Sequence, residues 1–234
     1  IDQAYINGAN QNAMSFTFTS AEVDASYNYS VDDTNGGTSP VTGSGTITSA
    51  GQQIPNINVS TLDDDTLTLT VYLTDPAANQ GSDAQDTVVK DVVAPSAPTA
   101  ATIVADTGWN TDYISDTNKA AVKASGLKSS DTTSIQIDID DEDAFTDPKT
   151  MTLPGLGNGT TYADVTGIDV TTVTALVDGT IAIRITASDA AGNTSAQTVL
   201  KTAAVFHKDT TAPSGYSVNI DQAYINDANK DAMS

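Results

Sequence analysis

Residues 67–73 read Leu67-Thr68-Leu69-Thr70-Val71-Tyr72-Leu73. Aliphatic side chains at every second position place one face of an extended strand in a core and leave the other, with its threonines, in water. The same beat runs through residues 15–19, 27–31, 134–139 (Ser134-Ile135-Gln136-Ile137-Asp138-Ile139) and 181–187 (Ile181-Ala182-Ile183-Arg184-Ile185-Thr186-Ala187). Turn clusters punctuate these strands, among them Asp33-Thr34-Asn35-Gly36-Gly37, residues 154–159 and Ala190-Ala191-Gly192-Asn193. Their residues accept positive φ or hydrogen-bond their own backbone. Short strands with frequent turns predict an all-β sandwich fold. Threonine on the outward positions reads as a solvated sheet face, because the Thr-x-Thr runs are too short and too unmatched for an ice-binding array.

The chain also repeats itself. Residues 1–15 (IDQAYINGANQNAMS) return as residues 220–234 (IDQAYINDANKDAMS), identical at twelve of fifteen positions. Within that period Lys90-Asp91-Val92-Val93-Ala94-Pro95-Ser96 returns as Lys208-Asp209-Thr210-Thr211-Ala212-Pro213-Ser214, an offset of 118 residues. Modules of about 100 residues own a core, unlike short solenoid repeats. The predicted domains are residues 1–93, a larger module at 94–211, and at 212–234 the first strand of a further repeat. The Ala-Pro-Ser junctions fix φ and restrict the preceding residue, so they predict short, stiff linkers.

Thirty Asp and Glu against nine Lys and Arg give a formal charge of −21. That balance excludes nucleic acid and anionic membrane as partners of these modules. No apolar run reaches the eighteen or so residues of a membrane span. Small extracellular domains commonly use disulfides; with no cysteine in the chain, an oxygen-ligated metal is the natural alternative staple.

The second module carries Asp178-Gly179-Thr180, a strand, Asp189-Ala190-Ala191-Gly192-Asn193, another strand, and Asp209-Thr210-Thr211-Ala212-Pro213. This series resembles the bacterial immunoglobulin-like (Big-type) repeats that build the extender stalks of giant repeats-in-toxin (RTX) adhesins. The first module departs from it, with Asp63-Asp64-Asp65-Thr66 for Asp-Gly-Thr and Asp75-Pro76-Ala77-Ala78-Asn79 in its turn. The resemblance implies a seven-stranded Greek-key immunoglobulin-like sandwich per module and Ca²⁺ near the junctions. It also implies type I secretion from a Gram-negative bacterium to the cell surface, and the task of holding a distal ligand-binding region away from the cell for adhesion or biofilm formation.

In such a sandwich the linker leaves the last strand, and the turns at the opposite end of the next domain face it. Asp91 is therefore expected to meet the acidic loop with Asp138, Asp140, Asp141 and Asp143, together with Asp189 and Asn193. Carboxylates and an amide oxygen there would supply Ca²⁺ with its six to eight oxygens at about 2.3–2.6 Å. Asp209 repeats the role of Asp91 at the next junction, while Glu22, Asp75 and Asn79 face a preceding linker.

Other functions find weaker signals. Asp106-Thr107-Gly108 matches the Asp-Thr-Gly of aspartic proteases but occurs once where catalysis needs two. His207, the one histidine, sits in a strand-like run, and no enzyme is expected. A module that itself binds a glycan or host-surface ligand is the alternative reading, with Trp109, Tyr113 and Tyr162 as its aromatics, though these suit small cores equally. The partners expected are neighbouring repeats of the same polypeptide. The chain itself is expected to be a monomer, apart from strand donation of residues 214–234 into the first module of another molecule.

Overall fold

The computed structural model describes residues 1–105, 113–114, 122–141, 148–157, 159–166, 176–201, 207–220, 224, 227 and 230–231. Every regular element among them is a β-strand, and no helix is long and apolar enough to cross a membrane. The first module holds β1 (Tyr5–Ile6), β2 (Met14–Thr17), β3 (Ser26–Asp33), β4 (Val41–Thr46), β5 (Gln53–Ile57), β6 (Thr66–Thr74) and β7 (Ala84–Lys90). One sheet runs β1-β7-β6-β3-β4 and the other pairs β2 with β5. All neighbours are antiparallel except β1 and β7, which run parallel through Tyr5 opposite Val89 and Ile6 opposite Lys90.

The alternation in residues 67–73 does what its period dictates. Leu67, Leu69 and Val71 turn inward from β6 and pack with Val31 and Val88 against Phe16, Ile54 and Ile57 of the smaller sheet. Each such side chain contributes about 1.5–3 kcal/mol by leaving water. Phe16, Phe18, Tyr27 and Tyr29 close one side of the core in edge-on and tilted ring contacts. Two glycines make that possible, because Tyr29 lies opposite Gly43 and Tyr27 opposite Gly45 across β3 and β4. A Cβ on Gly43 would come within 2.5 Å of the Tyr29 ring.

The second module repeats the plan with interruptions. Its strands are β8 (Thr99–Ala105), β9 (Tyr113–Ile114), β10 (Val122–Leu127), β11 (Ser134–Asp140), β12 (Lys149–Leu153), β13 (Thr161–Thr166), β14 (Gly179–Thr180), β15 (Ala182–Ser188), β16 (Thr198–Lys201) and β17 (His207–Lys208). They form sheets ordered β12-β11-β15-β16, β14-β17-β9 and β13-β10-β8. Strands β9, β10 and β11 stand 108 residues after β1, β2 and β3, and β9 pairs with β17 in parallel as β1 does with β7. The long β7 corresponds to β16 and β17 together. Ile135, Ile137, Ile139, Ile183 and Ile185 form the buried centre. Both modules are thus immunoglobulin-like all-β sandwiches, and residues 91–98 run between them.

Candidate functional site at the module junction

A buried lysine closes the first module. Lys90 ends β7 with its side chain 3% exposed; its Nζ donates to the Leu62 carbonyl at 2.5 Å and lies 3.3 Å from Asp64 Oδ1. Asp64 in turn accepts from the Val92 amide at 3.0 Å, and the Asp91 amide donates to the Ile6 carbonyl at 2.9 Å. Lysine, carboxylate and linker backbone thereby set the direction in which the chain leaves the sandwich. The second module builds the same staple: Lys208 Nζ donates to Leu176 O at 2.5 Å and lies 3.3 Å from Asp178, which accepts from the Thr210 amide at 2.9 Å.

The Thr210 amide, with the hydroxyls of Thr210 and Thr211 and the Lys208 ammonium, holds the Asp178 carboxyl at about 2, against 3.8 for an ordinary aspartate. A carboxyl depressed on folding contributes stability that is complete above the unfolded value and lost as pH falls through the folded one. The Asp178 staple should therefore persist at pH 3 and open only near pH 2. An NMR titration of the Asp178 carboxyl and the Thr210 amide checks this, and a common midpoint near 3.8 would contradict it.

Across the linker stands the turn after β15. Asp189 Oδ1 and Oδ2 accept from the Asn193 backbone and side-chain amides, both at 2.9 Å, and Gly192 adopts φ 88° between them. The first module folds its counterpart identically: Asp75 accepts both Asn79 amides at 2.8 Å, and those bonds, the side-chain one foremost, lower its pKa. There Ala78 takes the left-handed position, at φ 71°. Ala78→Gly should accordingly stabilise the first module by about 0.5–1 kcal/mol in denaturant titration, since glycine removes that backbone strain. Destabilisation would contradict the turn geometry.

Two amides join the modules. Asn193 Nδ2 donates to the Asp91 carbonyl at 2.8 Å, and Asn7 Nδ2, from the loop after β1, donates to the Ala191 carbonyl at 2.7 Å. Asn7 is held for this by its own loop, where its Oδ1 accepts from the amides of Ala9 and Asn10. Farther along the linker, Thr198 Oγ1 donates to the Pro98 carbonyl at 2.8 Å. Each module thus reaches a side-chain amide into the other's backbone.

Of the sequence-predicted residues, the junction gathers Asp91, Asp189 and Asn193. It does not gather Asp138, Asp140 or Asp141. β11 runs from Ser134, opposite Ser188 beside the junction turn, to Asp140, opposite Ala182. Asp140 and Asp141 therefore lie about 20 Å down the strand, at the far end of the module. Asp141 there accepts from the Val177 amide at 2.7 Å. Asp138 is 2% exposed and sits in the sheet, bonded by Arg184, Gln136 and Thr150. Burial raises its pKa, but those donors outweigh it and hold the carboxyl below the ordinary range.

Asp209 mirrors Asp91, accepting from the Thr211 amide at 3.0 Å as Asp91 accepts from Val93. Glu22 and Asp75 lie at the opposite end of the first module from Asp91, where Ser26 pairs with Thr74. Asp143, Asp106-Thr107-Gly108 and Trp109 lie outside the described residues. Tyr113, Tyr162 and His207 stand in β9, β13 and β17.

Sequence reasoning missed Asn7, Lys90 and Lys208. The signal for Asn7 was its return as Asn226 in the repeat, and for the lysines their shared place one residue before Asp91 and Asp209. As a cation site the junction offers hard oxygens of the right class, the carboxylates of Asp91 and Asp189. Among the described residues no three Asp, Glu or His side chains converge as a ready metal cage.

No family model matches this chain, and no curated protein does either. Solved structures resemble it at low identity. A tetra-tandem repeat from the extending region of a large adhesion protein aligns at 20% identity over 86% of this chain and 48% of that one, with a TM-score of 0.33. Part of a 1.5-MDa bacterial ice-binding adhesin aligns at 19% identity over 91% and 63%, with a TM-score of 0.41. The FN1–FN3 domains of chicken CNTN1 align at 10% identity over 83% and 59%, with a TM-score of 0.46. The chain spans about half the length of the first and under two thirds of the other two.

Proposed function

We propose that this chain is a pair of extender repeats from a secreted, surface-anchored bacterial adhesin, exported by a type I system, whose task is to hold a binding region at a distance. The observation that carries this reading is the reciprocal clasp of Asn7 and Asn193 between two copies of one fold. A repeat that spends its side chains on gripping its neighbour, and whose linker exit is stapled the same way twice, supplies length and direction. The return of residues 1–15 at 220–234 supports it, because duplication lengthens an array without altering any single bead.

Calcium completes the proposal. Asp91 and Asp189, with Asn193, would hold it at the junction, where a divalent cation relieves the repulsion of carboxylates in a chain of charge −21. At free calcium a hundredfold above its dissociation constant, a bound ion adds about 2.7 kcal/mol to the ordered junction. Isothermal titration with CaCl₂, paired with small-angle scattering, tests this. Saturable binding is expected, with a straighter particle, and both are lost in Asp91→Asn/Asp189→Asn. Heats no larger than dilution, or scattering indifferent to chelator, would remove calcium from the account.

A further inference from the structure

We propose that the outer face of the first module's larger sheet is a binding site for an uncharged saccharide, seated against Tyr72. Tyr27, Tyr29 and Val31 of β3 and Leu69 and Val71 of β6 turn to the core, so the residues between them, Asn28, Ser30, Thr70 and Tyr72, turn outward. With Thr42 and Ser44 of β4 they form two rows across the sheet, Ser44-Asn28-Tyr72 and Thr42-Ser30-Thr70. The rows stand about 7 Å apart, two residues along a strand. Together with Gln80 and Asp83, from the connection after β6, they line a groove of about 510 Å³.

The second module shows the same face closed. Its β11 and β15 keep the register of β3 and β6, with Ser134 opposite Ser188 as Ser26 is opposite Thr74. Ser30 and Thr70 thereby correspond to Asp138 and Arg184, which are likewise directly opposed. There the guanidinium donates to the carboxylate at 2.7 Å, Gln136 and Thr150 add their own bonds, and Asp138 is left buried. Thr186 stands at the place of Tyr72. The first module thus keeps the strand pairing but puts short hydroxyls and one aromatic ring where its neighbour has a network satisfied from within. Those groups are unspent. Among the described residues, Thr70 alone of the groove's side chains hydrogen-bonds protein, accepting from Gln85 Nε2 at 3.1 Å; those of Asn28, Ser30, Thr42, Ser44 and Gln80 have no such partner.

The lining selects the ligand. Hydroxyl and amide groups offer both donors and acceptors to a polyol, and the Tyr72 ring offers an apolar surface to the C–H side of a sugar ring. Among the described residues no lysine, arginine or histidine lines the groove, and its one charge is the Asp83 carboxylate. That carboxylate accepts from sugar hydroxyls and repels sialylated or phosphorylated ligands, an exclusion that the chain's charge of −21 reinforces. This site does not depend on the extender reading, since a spacer repeat is free to carry it on a lateral face.

An NMR titration of the isotope-labelled chain with lactose, maltose, cellobiose, mannobiose and sialyllactose tests the proposal. A neutral disaccharide should shift amides of β3, β4, β6 and residues 80–83 alone, saturating in the millimolar range, with sialyllactose binding more weakly than lactose. Tyr72→Thr, which installs the second module's residue, should weaken binding roughly tenfold. Ser30→Asp/Thr70→Arg, which installs its ion pair, should abolish binding while the amide spectrum stays that of a folded module. No shift with any of these sugars, shifts shared equally by the second module, tighter binding of sialyllactose than of lactose, or binding retained in Ser30→Asp/Thr70→Arg would overturn the proposal.

Discussion

Lys90→Met is expected to lower the melting temperature of the first module by roughly 10–20 °C while leaving the second module's transition in place. The substitution keeps the buried stem but removes the ammonium, so the Leu62 carbonyl loses its donor and Asp64 loses its ion partner beneath the linker. An unsatisfied buried carbonyl and a stranded carboxylate together cost about 2–3 kcal/mol, the value being moderated because Asp64 is 28% exposed. In a module of about 100 residues each kcal/mol moves the midpoint by about 4–8 °C. Lys208→Met should reproduce the effect in the second module through Leu176 and Asp178. Calorimetry that resolves the two transitions is the measurement. A shift within the roughly 0.5 kcal/mol of an ordinary surface change would show that the staple carries no weight.

Asn7→Asp should act in the opposite way, sparing both modules and releasing the junction between them. The change retains the oxygen that accepts from Ala9 and Asn10, so the loop after β1 keeps its shape. What it removes is the donor to Ala191, and it sets a carboxylate oxygen against that carbonyl where a bond of 2.7 Å stood. The loss of one bond and the opposition of two acceptors should cost the closed junction about 2 kcal/mol, roughly a thirtyfold rise in its open population. Asn193→Ala would loosen the junction too, but it also dismantles the Asp189 turn, which makes it the less specific probe. Relaxation measurements should show the modules of Asn7→Asp tumbling with separate correlation times while each melts where it did before. Unchanged coupling would mean that the clasp does not hold the modules.

Local physics made much of this architecture readable in advance. Period-two alternation in residues 67–73 and 181–187 found the central strands β6 and β15, because a half-buried strand has no other way to write its two faces. The Asp189 and Asn193 turn was visible for the same reason, since both its bonds span four residues. Direction was not visible. Alternation states which side chains face inward but not which end of β11 faces a neighbour, so Asp138, Asp140 and Asp141 were expected at the junction although register carries them along and away from it. Nor was the clasp visible, because Asn7 and Ala191 stand 184 residues apart and no local pattern records such a partner. The buried lysines escaped because a lysine beside an aspartate in a linker reads as solvated until the carbonyl that receives it is known.

The central claim is that neighbouring modules are held in one fixed orientation. Residual dipolar couplings, collected for both modules of the calcium-loaded chain in a single alignment medium, test it most directly. One alignment tensor should fit β3, β6, β11 and β15 together. Two tensors of different magnitude or orientation would mean that the modules move independently, and a chain that hinges freely at residues 91–98 is no extender.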